Sequence, residues 1–370
     1  MVDQTSLDVT ITVKSMADQK QEYSVKLAEE LANYENLDKV HDLPPIFHYW
    51  SNKYLLPRFR SLSFDSLTDF FVSHIAQRCA AAGDRVCHVI SLGAGNCDFE
   101  IDLAKELRGR DVCNFRFECL EINEAMLDRG RDVASAFGLV DNFLFTKCDL
   151  NNWSQDSPCD VAIANHSLHH IVALESVFDG VLAGLRPKGF FLINDMIGRN
   201  GHMRWPEALE VIQELWATLP RKYKYNHQLK EIQDEFVNWN CASEGFEGVR
   251  AQDILPEVRN RFQFAVFLAF SNIIDVFIDR GFGPNFEPNN AWDRSFIDKV
   301  QSIDDELLES GRVKPTHMIA ALTKEAVEPR VYKHLTPAFC TRWPSVTDIS
   351  ARTYSDGQAP TASVATSQQP

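Results

Sequence analysis

Residues 89–101 read V-I-S-L-G-A-G-N-C-D-F-E-I, an apolar run that stops on two glycines one residue apart and passes into a helical pattern. Val86 to Leu92 is short and partly β-branched, the way a parallel strand enters a tight turn. Gly93 and Gly95 can take positive φ and let a ligand approach the backbone closely. From Asp98 onward, Phe99, Ile101, Leu103, Ala104 and Leu107 keep helical spacing, so the first N–H groups of that helix point at the same turn. A small cofactor is expected there.

Outward from this turn, Phe115 to Leu120 forms a second strand-like run ending at Glu121, where a carboxylate can accept hydrogen bonds from both hydroxyls of a ribose. A dinucleotide fingerprint begins the same way but needs a third glycine at position 98. This chain has Asp98, which counts against a nicotinamide cofactor. Ala125 to Phe137 reads as the next helix and Phe143-Leu144-Phe145 as the third strand, followed by Asp149 in K-C-D-L. Asp160 to Ala164 is a fourth strand that runs into Asn165-His166-Ser167-Leu168-His169-His170. Val177 to Leu185 is a helix, Arg186-Pro187-Lys188-Gly189 a sharp turn, and Phe190 to Asn194 a fifth strand capped by Asp195.

Taken in order, V-I-S-L-G-A-G-N, L-E-I-N-E-A-M-L, K-C-D-L, D-V-A-I-A-N-H-S-L-H-H-I and L-R-P-K-G-F-F-L-I-N-D resemble the motifs of class I S-adenosylmethionine-dependent methyltransferases of the small-molecule type. The resemblance covers residues 85–197 and a final strand near 315–324. It implies a Rossmann-like, doubly wound α/β fold with a mostly parallel seven-stranded sheet and an antiparallel last strand. It implies S-adenosyl-L-methionine as cofactor, S-adenosyl-L-homocysteine as product, and contacts from Ser91, Gly93, Ala94, Gly95, Asn96, Glu121, Ile122, Asp149, Leu150 and Asn165. Asp149 would stand near the exocyclic amine of adenine. Ser91 stands where the family often has an acidic residue, and Cys97 where it often has a third glycine.

Ligands of open α/β sheets bind outside the carboxyl ends of the strands, so the histidines after the fourth strand lie where the methyl group is delivered. His166, at the strand tip, is expected to face substrate. His169 and His170 are candidates either for catalysis or for capping the next helix. Asp195 could orient a substrate hydroxyl or amine, or serve only a structural ion pair. Three histidines within five residues also suit a metal, but no cysteine or paired carboxylate completes a site nearby in the sequence, so no metal is expected.

The other segments are read by composition and period. Leu7 to Val13 alternates like an edge strand, and Ser24 to Tyr34 has a helical pattern. His41 to Arg60 is crowded with aromatics, among them Trp50 and Tyr54, and either covers the active site or packs a helix on the sheet. Phe64 to Ala82 is an amphipathic helix. After Gly198 comes a stretch the core does not require. Pro206 opens a helix that Pro220 ends, and a further helix runs through Trp239. We expect this insertion to form a substrate lid, with Arg199, His202, Trp205 and Tyr225 as substrate contacts. Val249 to Phe262 is a helix, Gln263 to Val266 begins a strand, and the apolar run Phe267 to Ile278 predicts a helix. The domain reading is therefore an N-terminal arm and helices covering the active site over 1–82, a cofactor-binding core over 83–198, the lid over 199–248, the rest of the core over 249–327, and a partly disordered tail over 328–370.

Composition narrows the function. A net charge of −15 opposes a phosphate-binding surface, so neither nucleic acid nor anionic membrane is an expected partner; a small-molecule acceptor is, with oxygen slightly favoured over nitrogen or carbon. A peptide or protein acceptor, or a non-catalytic binding module on the same fold, are the alternatives. Nine cysteines without a C-x-x-C pair read as reduced thiols. No secretion signal is visible, which gives a cytoplasmic expectation. A monomer or homodimer is expected.

Overall fold

In the computed structural model, which describes residues 21, 23–27, 43–155, 157–243 and 245–342, the strand entering the glycine turn is Cys87–Leu92 (β1), buried except at His88. Its residues alternate between two cores. Val89 joins the hydrophobic cluster on one face of the sheet, and Ile90 and Leu92 the cluster on the other. A strand apolar on both faces belongs at the centre of a sheet covered on both sides. β1 pairs in parallel with Phe115–Glu121 (β2), from Cys87 opposite Phe115 to Leu92 opposite Leu120. Phe143–Lys147 (β3) lies outside β2. On the other side come Cys159–Asn165 (β4) and Leu185–Met196 (β5), also parallel.

Beyond β5 the chain returns twice. Gln263–Phe270 (β8) and His317–Thr323 (β9) give a main-sheet order β3-β2-β1-β4-β5-β9-β8, with β9 antiparallel to both neighbours. The antiparallel last strand is where the sequence reading puts it. The sheet has eight strands rather than seven, because Arg330–Val331 (β10) adds a two-residue edge to β8. Tyr225–Asn226 (β6) and Glu231–Ile232 (β7) form a separate small hairpin. The strand order reverses between β1 and β4, which opens a crevice above their carboxyl ends.

Helices cover both faces. Leu67–Ala82, Asp98–Gly109, Glu124–Ala136 and Ala291–Glu309 pack with the first cluster, and Leu174–Gly184 and Ala251–Arg259 with the second. Pro45–Trp50 runs through a π-helical turn, Ser51–Leu55, into Leu56–Ser61. Ile46 and Trp50, four residues apart on one face, are fully buried. The Trp50 indole N–H donates to Gln301, and the Tyr49 and Tyr54 hydroxyls donate to Asp298 at 2.8 and 2.6 Å. This aromatic segment therefore docks on the helix Ala291–Glu309 and does not cover the crevice.

Two element assignments change. The stretch through Trp239 is not helical: the carbonyl of Gln233 accepts from the Trp216 indole and its N–H donates to Lys224, both at 2.9 Å, which diverts groups a helix would use. The apolar run Phe267 to Ile278 is not one helix. β8 continues to Phe270, Ser271 turns the chain at φ 61°, and only the single turn Asp275–Ile278 is helical. Residues 330–340, at the start of the segment read as a partly disordered tail, add β10 and the short helix Pro337–Cys340, with Leu335 and Cys340 buried. The strand expected at Leu7 to Val13, the helix beyond residue 27 and the final polar stretch lie outside the described residues. No helix among the described residues is long and apolar enough to cross a membrane.

Candidate active site

The turn after β1 is tied to its neighbour: the N–H groups of Gly93 and Ala94 both donate to the carbonyl of Leu120, at 2.9 and 3.1 Å. Gly93, Gly95 and Cys97 have φ of 69°, 55° and 60°. The position where the resemblance leads one to expect a third glycine thus keeps the left-handed backbone that favours glycine, now carried by a cysteine. Gly95 donates to Oε2 of Glu121 at 3.0 Å and Asn123 to Oε1 at 2.9 Å. Burial pushes the Glu121 carboxyl up, and those backbone donors oppose the rise.

Ser91 takes no part in the crevice. It is buried, and its hydroxyl donates to Glu100 at 2.6 Å. Glu100 lies three, four and seven residues before Leu103, Ala104 and Leu107, on the buried face of its helix. Burial pushes its carboxyl up to about 7. The acid missing from the strand is thus supplied from the helix. A charged residue in register with an apolar helical face is the sequence signal that marks it.

The turn after β4 is organised by Asp195. Its Oδ2 accepts from the N–H groups of Ser167 and Leu168 at 3.0 and 2.8 Å, and its Oδ1 from Met196 at 2.7 Å and from Nδ1 of His169 at 2.5 Å. Asp195 is fully buried and faces this turn, not the crevice. Burial disfavours a charged His169, yet Asp195 and then Glu247 outweigh it and raise the ring to about 10. A ring held as the cation cannot accept a proton. Glu247, from the end of the insertion, also approaches His170 at 3.5 Å and His202 at 2.5 Å. Burial raises the Glu247 carboxyl, but the histidines hold it far below the usual range.

Above the strand ends lies a cleft of about 1160 Å³, its mouth included. Every expected cofactor residue except Ser91 lines it, as do His166 and His170. His169, Asp195 and the expected substrate contacts do not: Trp50 is in the core, Tyr54 binds Asp298, Arg199 stacks on Trp205, His202 binds Glu247, and Tyr225 sits in the β6–β7 hairpin. The residues over the cleft are instead Tyr23 and Phe246, with ring centroids 5.3 Å apart. The Tyr23 hydroxyl donates to Asp149 at 2.9 Å. Neither residue stands out in the sequence, since each meets the cleft only through tertiary folding.

The lining suits S-adenosylmethionine. Asp98, Glu100, Glu121 and Asp149 line the cleft, acidic side chains that suit a ligand carrying a sulfonium and an ammonium, and two buried side-chain oxygens on the wall, Ser167 Oγ and Glu100 Oε2, have no hydrogen-bond partner among the described residues. Buried polar atoms of this kind call for a ligand or water. Residues 84–259 match a family model described as a methyltransferase domain. The strand order above is the doubly wound, mostly parallel arrangement of a class I methyltransferase fold.

A search of curated protein sequences finds no significant match. Among solved structures, the chain is similar to a geranyl diphosphate methyltransferase in complex with SAM, at 12% identity over 70% of this chain and 84% of that one, with a TM-score of 0.39. It is similar to a putative sarcosine dimethylglycine methyltransferase from Galdieria sulphuraria, at 15% identity over 69% and 85%, TM-score 0.40. It is also similar to StiE O-MT residues 942–1257, at 10% identity over 81% and 90%, TM-score 0.41. Likeness at that level decides neither acceptor nor reaction.

Proposed function

We propose that the chain transfers a methyl group from S-adenosylmethionine to a nucleophile on a small molecule, an oxygen before a nitrogen or carbon. The observation that carries this reading is the acidic cleft covered by Tyr23 and Phe246: four acidic side chains suit a cationic donor, whose charge would favour the ionised form of Glu100, and an aromatic cover suits a small acceptor better than a peptide. Glu121 would hold the ribose hydroxyls and Asp149 the adenine amine. The donor supplies an activated methyl group, so the protein's work is to align the acceptor and exclude water. His166, at the tip of β4 and on the cleft wall, is the residue that would take a proton from a hydroxyl or ammonium acceptor. His169 would not, being held by Asp195.

Calorimetric titration of the protein with S-adenosylmethionine, S-adenosylhomocysteine and NAD tests the reading. Both adenosyl ligands should bind and NAD should not. Glu121→Ala should weaken them about 10- to 100-fold, the cost of one or two hydrogen bonds to a charged group. His166→Gln should keep donor binding. Undiminished binding by Glu121→Ala would remove the assigned site.

A further inference from the structure

We propose that His169, His170 and Glu247 form a mononuclear site for a divalent transition-metal ion of the zinc type, set into the wall of the cleft. One ligand atom from each of the three lies within 4.8 Å of the others. Nε2 of His169 is 3.3 Å from Oε1 of Glu247, and Nε2 of His170 is 3.5 Å from Oε2. Ligands bound at about 2.0–2.2 Å in a tetrahedron stand roughly 3.3–3.5 Å apart, the length of each separation; since the two run to different oxygens of Glu247, a small turn of the carboxylate would present one oxygen to both imidazoles.

The surroundings fix these ligands as a metal site requires. His169 is 3% exposed and its Nδ1 is spent on Asp195 at 2.5 Å, so the ion would bind at Nε2 by displacing the proton that the cationic ring holds there. Carboxylate–histidine pairs of this form orient ligands in zinc sites. His202 Nε2 stands 2.5 Å from Glu247 Oε1, too close for two ligands of one ion, and acts as the hydrogen bond that orients the carboxylate. The loop bearing Glu247 is anchored by Gly248, whose carbonyl accepts from the N–H of Gly201 at 2.8 Å. Two imidazoles and one carboxylate suit zinc, cobalt or ferrous iron.

Three protein ligands leave a tetrahedral position open, the pattern of catalytic rather than structural zinc. Of the three ligands His170 lines the cleft, so the open position would be reached from the cleft past His170. There the ion would hold an oxygen of the acceptor beside His166. That role rests on the methyl-transfer reading, whereas binding of the ion does not. The sequence hid the site because its carboxylate comes from the far end of the insertion.

The test uses the full chain, stripped with a chelator and titrated with Co²⁺ and then Zn²⁺. One Co²⁺ per chain should bind with the visible d–d bands of a nitrogen and oxygen site, and Zn²⁺ should displace it. Glu247→Gln should weaken binding at least about 10-fold, and Asp195→Asn about 10- to 100-fold as an orienting residue. If Asp195→Asn fails to fold, judged by circular dichroism, His170→Asn replaces it and should weaken binding at least as much as Glu247→Gln. Absence of stoichiometric binding, equal binding by Glu247→Gln, or a spectrum dominated by thiolate charge transfer from the Cys97–Glu100–Cys119 group would overturn the proposal. Titration of the stripped protein with S-adenosylhomocysteine separates this outcome from failure of the methyltransferase reading.

Discussion

A methyl group added at Gly93 would come 2.7 Å from Cβ of Ser167, on a backbone with φ of +69°. Gly93→Ala therefore meets two costs, about 1–2 kcal/mol for the left-handed conformation and about 1–3 kcal/mol for overpacking. The denaturant midpoint should fall accordingly, and adding Ser167→Gly should recover the contact cost but not the conformational one. Full recovery, or no loss at all, would mean that the turn relaxes. Gly93, Gly95, Glu121 and Asp149 were legible because turn chemistry and strand ends are local properties. Glu100 was half legible, as a charge on an apolar helix face. Glu247, Tyr23 and Phe246 were not, since their roles depend on which distant segment folds over the cleft.

Elements were most legible where their period was unambiguous. β1, β2, β4 and the helix Asp98–Gly109 stand where spacing puts them, whereas the second half of β8 reads in the sequence as the start of a helix. Flanked by β9 and β10 and facing both cores, β8 has no polar face, and such a run cannot be told from a buried helix by periodicity. The insertion shows the opposite difficulty, because side-chain bonds decide its path. Trp216 donates to Gln233 at 2.9 Å and meets Phe282 with ring centroids 4.7 Å apart. Trp216→Ala should cost about 3–5 kcal/mol and loosen the insertion. Donor binding should fall much less than in Glu121→Ala, because Trp216 does not line the cleft. An equal loss of donor binding would make the insertion part of the cofactor site.

At the scale of the molecule, buried ionisable groups shape stability against pH. Glu100 is buried, and burial raises its carboxyl from 4.5 to about 7, so the folded state binds the extra proton. Stability is lost as pH climbs from about 4.5 through 7, by about 3 kcal/mol when complete. Glu100→Gln should thus be close to neutral below pH 4.5 and stabilising at pH 8. His74 acts in the other direction: burial lowers its ring from 6.5 to about 4, so its contribution is present above pH 6.5 and lost as pH falls toward 4. Chemical denaturation of both proteins across pH 4–9 checks the sign, and parallel profiles would refute it. The doubly wound class was legible through the family resemblance that five motifs carry in their order along the chain, an order that the sheet itself does not follow. The eighth strand was not, being two residues long. The position of β9 between β5 and β8 also has a meaning in time. On a ribosome making about 5–20 residues per second, β8 emerges some 3–10 seconds before the strand that joins it to the sheet. For that interval Phe264 to Phe270, apolar throughout, waits without its inner partner, making this a stretch of the nascent chain that needs protection from its neighbours.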